Sequence, residues 1–263
     1  NSMLYKLVKA LDSAQDKQYV MAETAKSYLS QIQDKIATGS TFNTNDITKS
    51  AKEEVGKYFQ KYSGIKTKIS EGELLHIYLT LKNNQVRARF FKNGGSGVFE
   101  LKEYRDKNDS VLRQHLSLDI TEADYANLES KFSTPEWSSK IKAWTDANEF
   151  LYKYVDQTHR EDTGVSLRKA EGFYYPLIHG TGISSYEDYL KQNKFVDDLR
   201  SAKARSPQVH ANYLVVDALQ LMNNYVDANT KYASYATPLK NIDVYLKNSD
   251  EFSIVLTSSI SSI

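Results

Sequence analysis

The chain has 263 residues, 40% apolar and 25% charged, which is ordinary for a globular protein with length for one large domain or two small ones. With 34 basic and 33 acidic residues the net charge is +1, which excludes a general polyelectrolyte role on duplex DNA but leaves room for a local basic face. The absence of cysteine excludes disulfides and thiolate metal sites, and no apolar run approaches the ~18 residues that cross a bilayer.

The opening residues Asn1-Ser2-Met3-Leu4 lack the charged-then-apolar pattern of a signal peptide, and the two residues ahead of Met3 read as an expression scar. Residues 4–36 then predict a helix. Leu4, Leu7, Val8 and Leu11 share a face, and Val20, Met21, Ala25, Tyr28, Leu29, Ile32 and Ile36 resume it after a polar stretch around Ser13 to Lys17. A Gly/Ser/Thr/Asn-rich loop follows to Asn45, which predicts the cap of a second helix through Val55, Tyr58, Phe59 and Tyr62, closed by Gly64. Ser70-Glu71-Gly72-Glu73 is a capping box opening a strongly apolar helix from Leu74 to Leu81.

Asn93-Gly94-Gly95-Ser96-Gly97 is the most flexible sequence in the chain. It joins either two strands, Val86 to Phe91 and Val98 to Leu101, or two helices; the helical reading is favoured. Thr121-Glu122-Ala123-Asp124 is a second cap, for a helix through Tyr125, Leu128 and Phe132. Thr134-Pro135-Glu136 starts a long helix carrying Trp137, Ile141, Trp144, Phe150, Leu151, Tyr154 and Val155, which stops before Gly164. A loop from Gly172 to Ser185 surrounds Tyr174-Tyr175-Pro176, a short helix lies near Tyr186 to Leu190, and Arg200 to Pro207 is basic and exposed. A last helix begins near Gln208, holds Leu214 to Val226, and continues through Tyr232 to Tyr245 with a break or kink at Pro238.

These elements predict a mainly α protein, an irregular multi-helix bundle with a long central helix and few or no strands. It divides into an N-terminal helical segment (residues 1–66), a helical domain (67–247) and a tail (248–263) that reads as cut from a longer chain. Tyrosine, at 19 against 10 Phe and 2 Trp, fits half-buried helix faces with wet hydroxyls or a Tyr-rich interaction surface.

The candidate sites are sparse. His179-Gly180-Thr181 resembles the strand end that holds nicotinamide and ribose in ADP-ribosyltransferases, and would make those three residues nucleotide-binding. The strand-borne Tyr and the later Glu of that fold have no counterpart in the helical reading of 186–247, so a two-glycine loop with a solvated His is the simpler account. Lys191, Lys194, Arg200, Lys203 and Arg205 form a short basic patch diluted by Asp197 and Asp198. It is a solvated face or a nucleic-acid contact made through phosphates without sequence preference. His159-Arg160-Glu161-Asp162 reads as a charged helix terminus, because one His and two adjacent carboxylates do not share a face. His76, set among Leu74, Leu75 and Ile77, reads as a core or edge residue. No Walker loop, His-Glu-x-x-His or Gly-x-Ser-x-Gly occurs, and no metal, cofactor or catalytic set is predicted.

Four segments in order carry a resemblance. They are Gly72-Glu73-Leu74-Leu75-His76-Ile77-Tyr78-Leu79 with Lys82-Asn83-Asn84-Gln85; Ile120-Thr121-Glu122 through Leu128; Gly172-Phe173-Tyr174-Tyr175-Pro176-Leu177; and Asp217-Ala218-Leu219 with Tyr232, Tyr235, Pro238 and Leu239. Together, over about residues 70 to 247, they resemble a helical region of the large multidomain polyvalent proteins of bacteriophages and conjugative elements. Val86 departs from that pattern, which often has Asn before Arg87. The resemblance implies a non-enzymatic structural or interaction module of a virion protein, packaged in or delivered by the particle with the ejected DNA. It implies other domains or subunits of a larger assembly as partners, and a virion or bacterial-cytoplasm location. The alternatives are an NAD- or nucleotide-acting enzyme built on the His179 loop, a fragment of a virion-packaged RNA polymerase, and a weak nucleic-acid binder.

Overall fold

The computed structural model describes residues 3–36, 52–63, 68–91, 97–101, 104–105, 111–113, 115–167, 172–177 and 212–248. The fold is mainly helical, as the apolar spacing predicts, with six helices and short strands among the described residues. Helix α1 is Met3–Ile36. Strand β1 (Lys52–Glu54), a 3-10 turn (Val55–Lys57), β2 (Tyr62–Ser63) and β3 (Lys68–Ser70) lead into α2 (Glu71–Lys82) and α3 (Asn84–Phe90). Then come β4 (Gly97–Leu101), β5 (Tyr104–Arg105), β6 (Val111–Arg113), β7 (Leu116–Ile120), α4 (Glu122–Phe132) and α5 (Pro135–Thr163). Strand β8 (Asn212–Leu214) and α6 (Ala218–Asn248) complete the described chain.

The predicted caps form. Ser70 accepts from the Glu73 amide and Glu73 returns the bond to Ser70, and Thr121 and Asp124 repeat the arrangement at α4. Thr134 caps α5 with Pro135 in its first turn, and Gly164, at φ 77°, ends it in the left-handed conformation that a side chain would strain. Such caps satisfy backbone N–H and C=O groups that helix ends leave without helical partners.

Three segments differ from the sequence reading. The helix expected from Asn45 to Gly64 is replaced, in its described part, by two short strands around one 3-10 turn. Val55, Tyr58 and Phe59 do bury their side chains together, but over a single turn, closed by Tyr58 and Phe59 amides donating to the Val55 carbonyl. Pairing of β1 with β3 and of β2 with β7 takes the flanking backbone. Around the glycine run, residues 84–90 are helical as favoured, whereas 97–101 are a strand whose burial alternates. The last helix begins at Ala218, not near Gln208, because Asn212–Leu214 lies parallel to β4 in the sheet. It then runs through Pro238 without interruption.

The main sheet has the order β2-β7-β4-β8, antiparallel except for the β4–β8 pair. Phe99 on β4 faces Leu118 on one side and Tyr213 on the other, and these rings and chains bury one face of the sheet. Beside it α2 is enclosed: residues 72–81 are all buried. A helix surrounded on every side needs apolar residues round most of its circumference, and this one has them except at Glu73, His76 and Thr80. A second layer is made by α1, α5 and α6. Contacts from Lys26 to Asp227 and from Lys17 to Ala233 set α1 antiparallel to α6. Those from Asn148 to Tyr225 and from Asp162 to Lys240 set α5 parallel to it. On α1 the buried stripe is Met21, Ala25, Leu29 and Ile32; Val20, assigned to that stripe from spacing, is 63% exposed. The core cluster is continuous from Ala25 on α1 to Val226 on α6.

Candidate functional site

Polar groups gather along one face of α2, where Gly72, His76 and Thr80 stand four residues apart and so lie one above another. Gly72 meets the residue ahead of α6: a Cβ at this position would overlap Asp217 Oδ2. Asp217 in turn caps α6, its Oδ1 accepting from the amides of Leu219 at 2.9 Å and Gln220 at 3.1 Å. Burial pushes the Asp217 carboxyl up to about 6; the two amide bonds oppose that rise and the Glu73 charge adds to it.

His76 is fully buried, with Nδ1 3.1 Å from the Tyr175 hydroxyl and the two rings edge to face at 5.4 Å. Burial holds its pKa down at about 3, offset slightly by the Leu214 backbone, so the imidazole is neutral at ordinary pH. Nε2 has no hydrogen-bond partner of good geometry among the described residues, and neither does Thr80 Oγ1. Tyr175 continues the stack onto Trp144 of α5, whose indole N–H donates to the Tyr174 carbonyl at 2.8 Å. Trp144 also meets Tyr225 of α6 edge-on, and Asn83 Nδ2 donates to the Phe173 carbonyl at 2.7 Å. Residues 173–175 are therefore pinned between α2 and α5.

On another side of α2, Tyr78 stacks on Tyr125 and Phe132 of α4, and Arg87 lies 5.0 Å over the Tyr125 ring. Burial and the Glu129 charge push the Tyr125 hydroxyl up to about 12, so it stays protonated. The buried carboxylates act mainly on backbone. Glu73 accepts from the Ser70 amide, Asp124 from the amides of Thr121 and Gln60, and Asp156 from the Leu167 amide. Each thereby fixes a chain segment and satisfies a donor that burial would otherwise leave costly.

This seam joins elements. A neutral imidazole with no exposed surface, pressed against Tyr175, offers no route for a substrate proton. The residues named from sequence stand as follows. His76 is a core residue, as its apolar neighbours predict. In the 159–162 run the side chains diverge: Arg160 pairs with Asp156, Asp162 with Lys240, and Glu161 accepts from Gln157. Among the described residues no three His, Asp or Glu side chains are grouped as metal ligands. The basic patch Lys191, Lys194, Arg200, Lys203 and Arg205 and the loop His179-Gly180-Thr181 lie outside the described residues, as does the short helix expected near Tyr186. No helix among the described residues is long and apolar enough to cross a membrane. Sequence reasoning missed the role of Asp217; an Asp one residue ahead of a helix is an ordinary cap signal, hidden here by the expectation that the helix began earlier. Comparison with family models, curated proteins and solved structures finds no match to the chain.

Proposed function

We propose that the chain is a non-enzymatic structural and interaction module of a phage or mobile-element protein, packaged in or delivered by the particle, with other parts of a larger assembly as its partners. The observation that carries this reading is the convergence on α2, the first of the four segments in which the polyvalent-protein resemblance lies, of residues from the other three. Gly72 meets Asp217, His76 meets Tyr175, Tyr78 stacks on Tyr125, and Asn83 holds the Phe173 carbonyl. Segments up to about 145 residues apart in the chain thus share contacts at one helix, as expected if their order and spacing encode one packed unit rather than four coincidences. The use of the buried carboxylates as backbone anchors supports a scaffolding role in the same way. The test is mass spectrometry of particles released from the source cells, together with sequencing of the locus. Peptides of this chain in purified particles, in a frame flanked by phage or conjugation genes, are the expected result. A stand-alone frame of 263 codons far from such genes, with no peptide in any particle, refutes the reading.

A further inference from the structure

A cleft of about 160 Å³ lies among α1, α5 and α6, lined by residues that take no part in the α2 seam. Short side chains of α1 and α6 leave the space, and Pro238 stands in its wall. Proline brings no N–H, so the Ser234 carbonyl lacks its helical donor. The Ser234 side chain is 4% exposed, and its hydroxyl and that of Thr237 have no hydrogen-bond partner among the described residues. Lys17 reaches into the same space from α1. Its Nζ donates to the Ala233 carbonyl at 3.0 Å, the same oxygen that takes the Thr158 hydroxyl at 3.0 Å. The bond positions the ammonium and leaves it two further N–H donors. Glu161 borders the cleft from α5, accepts from Gln157 on one oxygen, and forms no ion pair with Lys17.

An ammonium and a carboxylate therefore border one small space without touching, between walls of short side chains. A simple anion there meets Glu161, and a simple cation meets Lys17. A neutral apolar molecule leaves both charges without a partner. A molecule carrying both charges answers both. At ~30 Å³ per water the volume corresponds to about five waters, enough for a ligand of a handful of non-hydrogen atoms in a cleft that opens to solvent. We propose that this cleft binds a small zwitterion of α-amino-acid type, its carboxylate on Lys17 and its ammonium on Glu161. So small a ligand binds with a Kd on the order of 1 mM.

The test is thermal unfolding of the full chain with alanine from 0.1 to about 50 mM, a range that brackets that affinity. Acetate and ethylammonium serve as single-charge controls at matched ionic strength. The expected result is a saturable rise in Tm with alanine that neither control reproduces. Lys17→Met and Glu161→Gln, each first checked for native helicity, are expected to weaken it about tenfold or more, the loss of one charge-assisted contact. Thr237→Leu fills the cleft and abolishes it in a chain that remains folded. Amino acids also stabilise proteins by exclusion from their surfaces, and that effect rises without saturating. A rise that does not saturate, that the controls share, or that survives Lys17→Met overturns the proposal, and so does no rise at all, which leaves the cleft to water.

Discussion

Helices α1 and α2 are both apolar-patterned segments, yet they stand in opposite environments. From Gly72 to Leu81 every residue of α2 is buried, whereas α1 hides one stripe and leaves Tyr19 at 67% and Val20 at 63% exposed beside buried Met21. The difference lies in what each must satisfy. An enclosed helix has to supply its own polar matching, so α2 carries a capping box at its start, a neutral His at its centre and an Asn at its end that binds both backbone and a neighbouring loop. A helix lying on one side of a bundle leaves its other face to water and tolerates apolar side chains there at little cost.

The comparison can be broken hardest at the joint between the two layers. Trp144→Ala removes a fully buried indole together with its bond to the Tyr174 carbonyl, and is expected to cost about 3–5 kcal/mol in urea denaturation. Acid acts next, through two groups of opposite sign. His76 has a folded pKa of about 3, below its ordinary 6.5. Its neutral form favours the fold, so stability present above pH 6.5 is lost as pH falls towards 3, by up to about 5 kcal/mol at ~1.4 kcal/mol per unit. Asp217 has a folded value of about 6 against 3.8, so its protonation favours the fold and returns up to about 3 kcal/mol as pH falls from 6 to 3.8. Stability measured from pH 7 to 4 should therefore drop more steeply in Asp217→Asn and less steeply in His76→Gln than in the parent. Parallel curves for all three would remove the seam's electrostatic account.

Smaller effects sharpen the contrast between the helices. Gly72→Ala forces a methyl against Asp217 and is expected to cost about 1–3 kcal/mol. In the double variant with Asp217→Ala the cost should be less than the sum, because the two residues touch. On α1, Leu29→Ala at a buried position is expected to cost about 2–5 kcal/mol, but Val20→Lys only about 0.5 kcal/mol or less. Equal costs at these two positions would mean that α1 has a second covered face.

Helices with caps were legible in the sequence because a cap is a local event: Ser70 with Glu73, Thr121 with Asp124, and Thr134 with Pro135 each announce a start within four residues. Strands were not. Leu116, Leu118 and Ile120 alternate with Ser117 and Asp119, a period-2 signal five residues long, and it was overlooked beside the stronger cap that follows. Asn212–Leu214 offers no local signal at all; three residues become a strand because β4 presents a matching edge. The seam was half legible. His76 was placed among apolar neighbours correctly, but its pairing with Tyr175 spans 99 residues, and nothing in either local sequence names the other.

The parallel pairing of Val98 with Asn212 also sets a schedule for the nascent chain. During synthesis β4 and β7 leave the ribosome more than 90 residues before β8 does, so the β4 edge must wait with its amides and carbonyls open. Contacts of such separation close slowly, and an open edge invites the wrong neighbour. Polypeptides ending between α5 and β8 should accordingly be the most aggregation-prone products of interrupted translation, more so than shorter ones ending before β4 has been made.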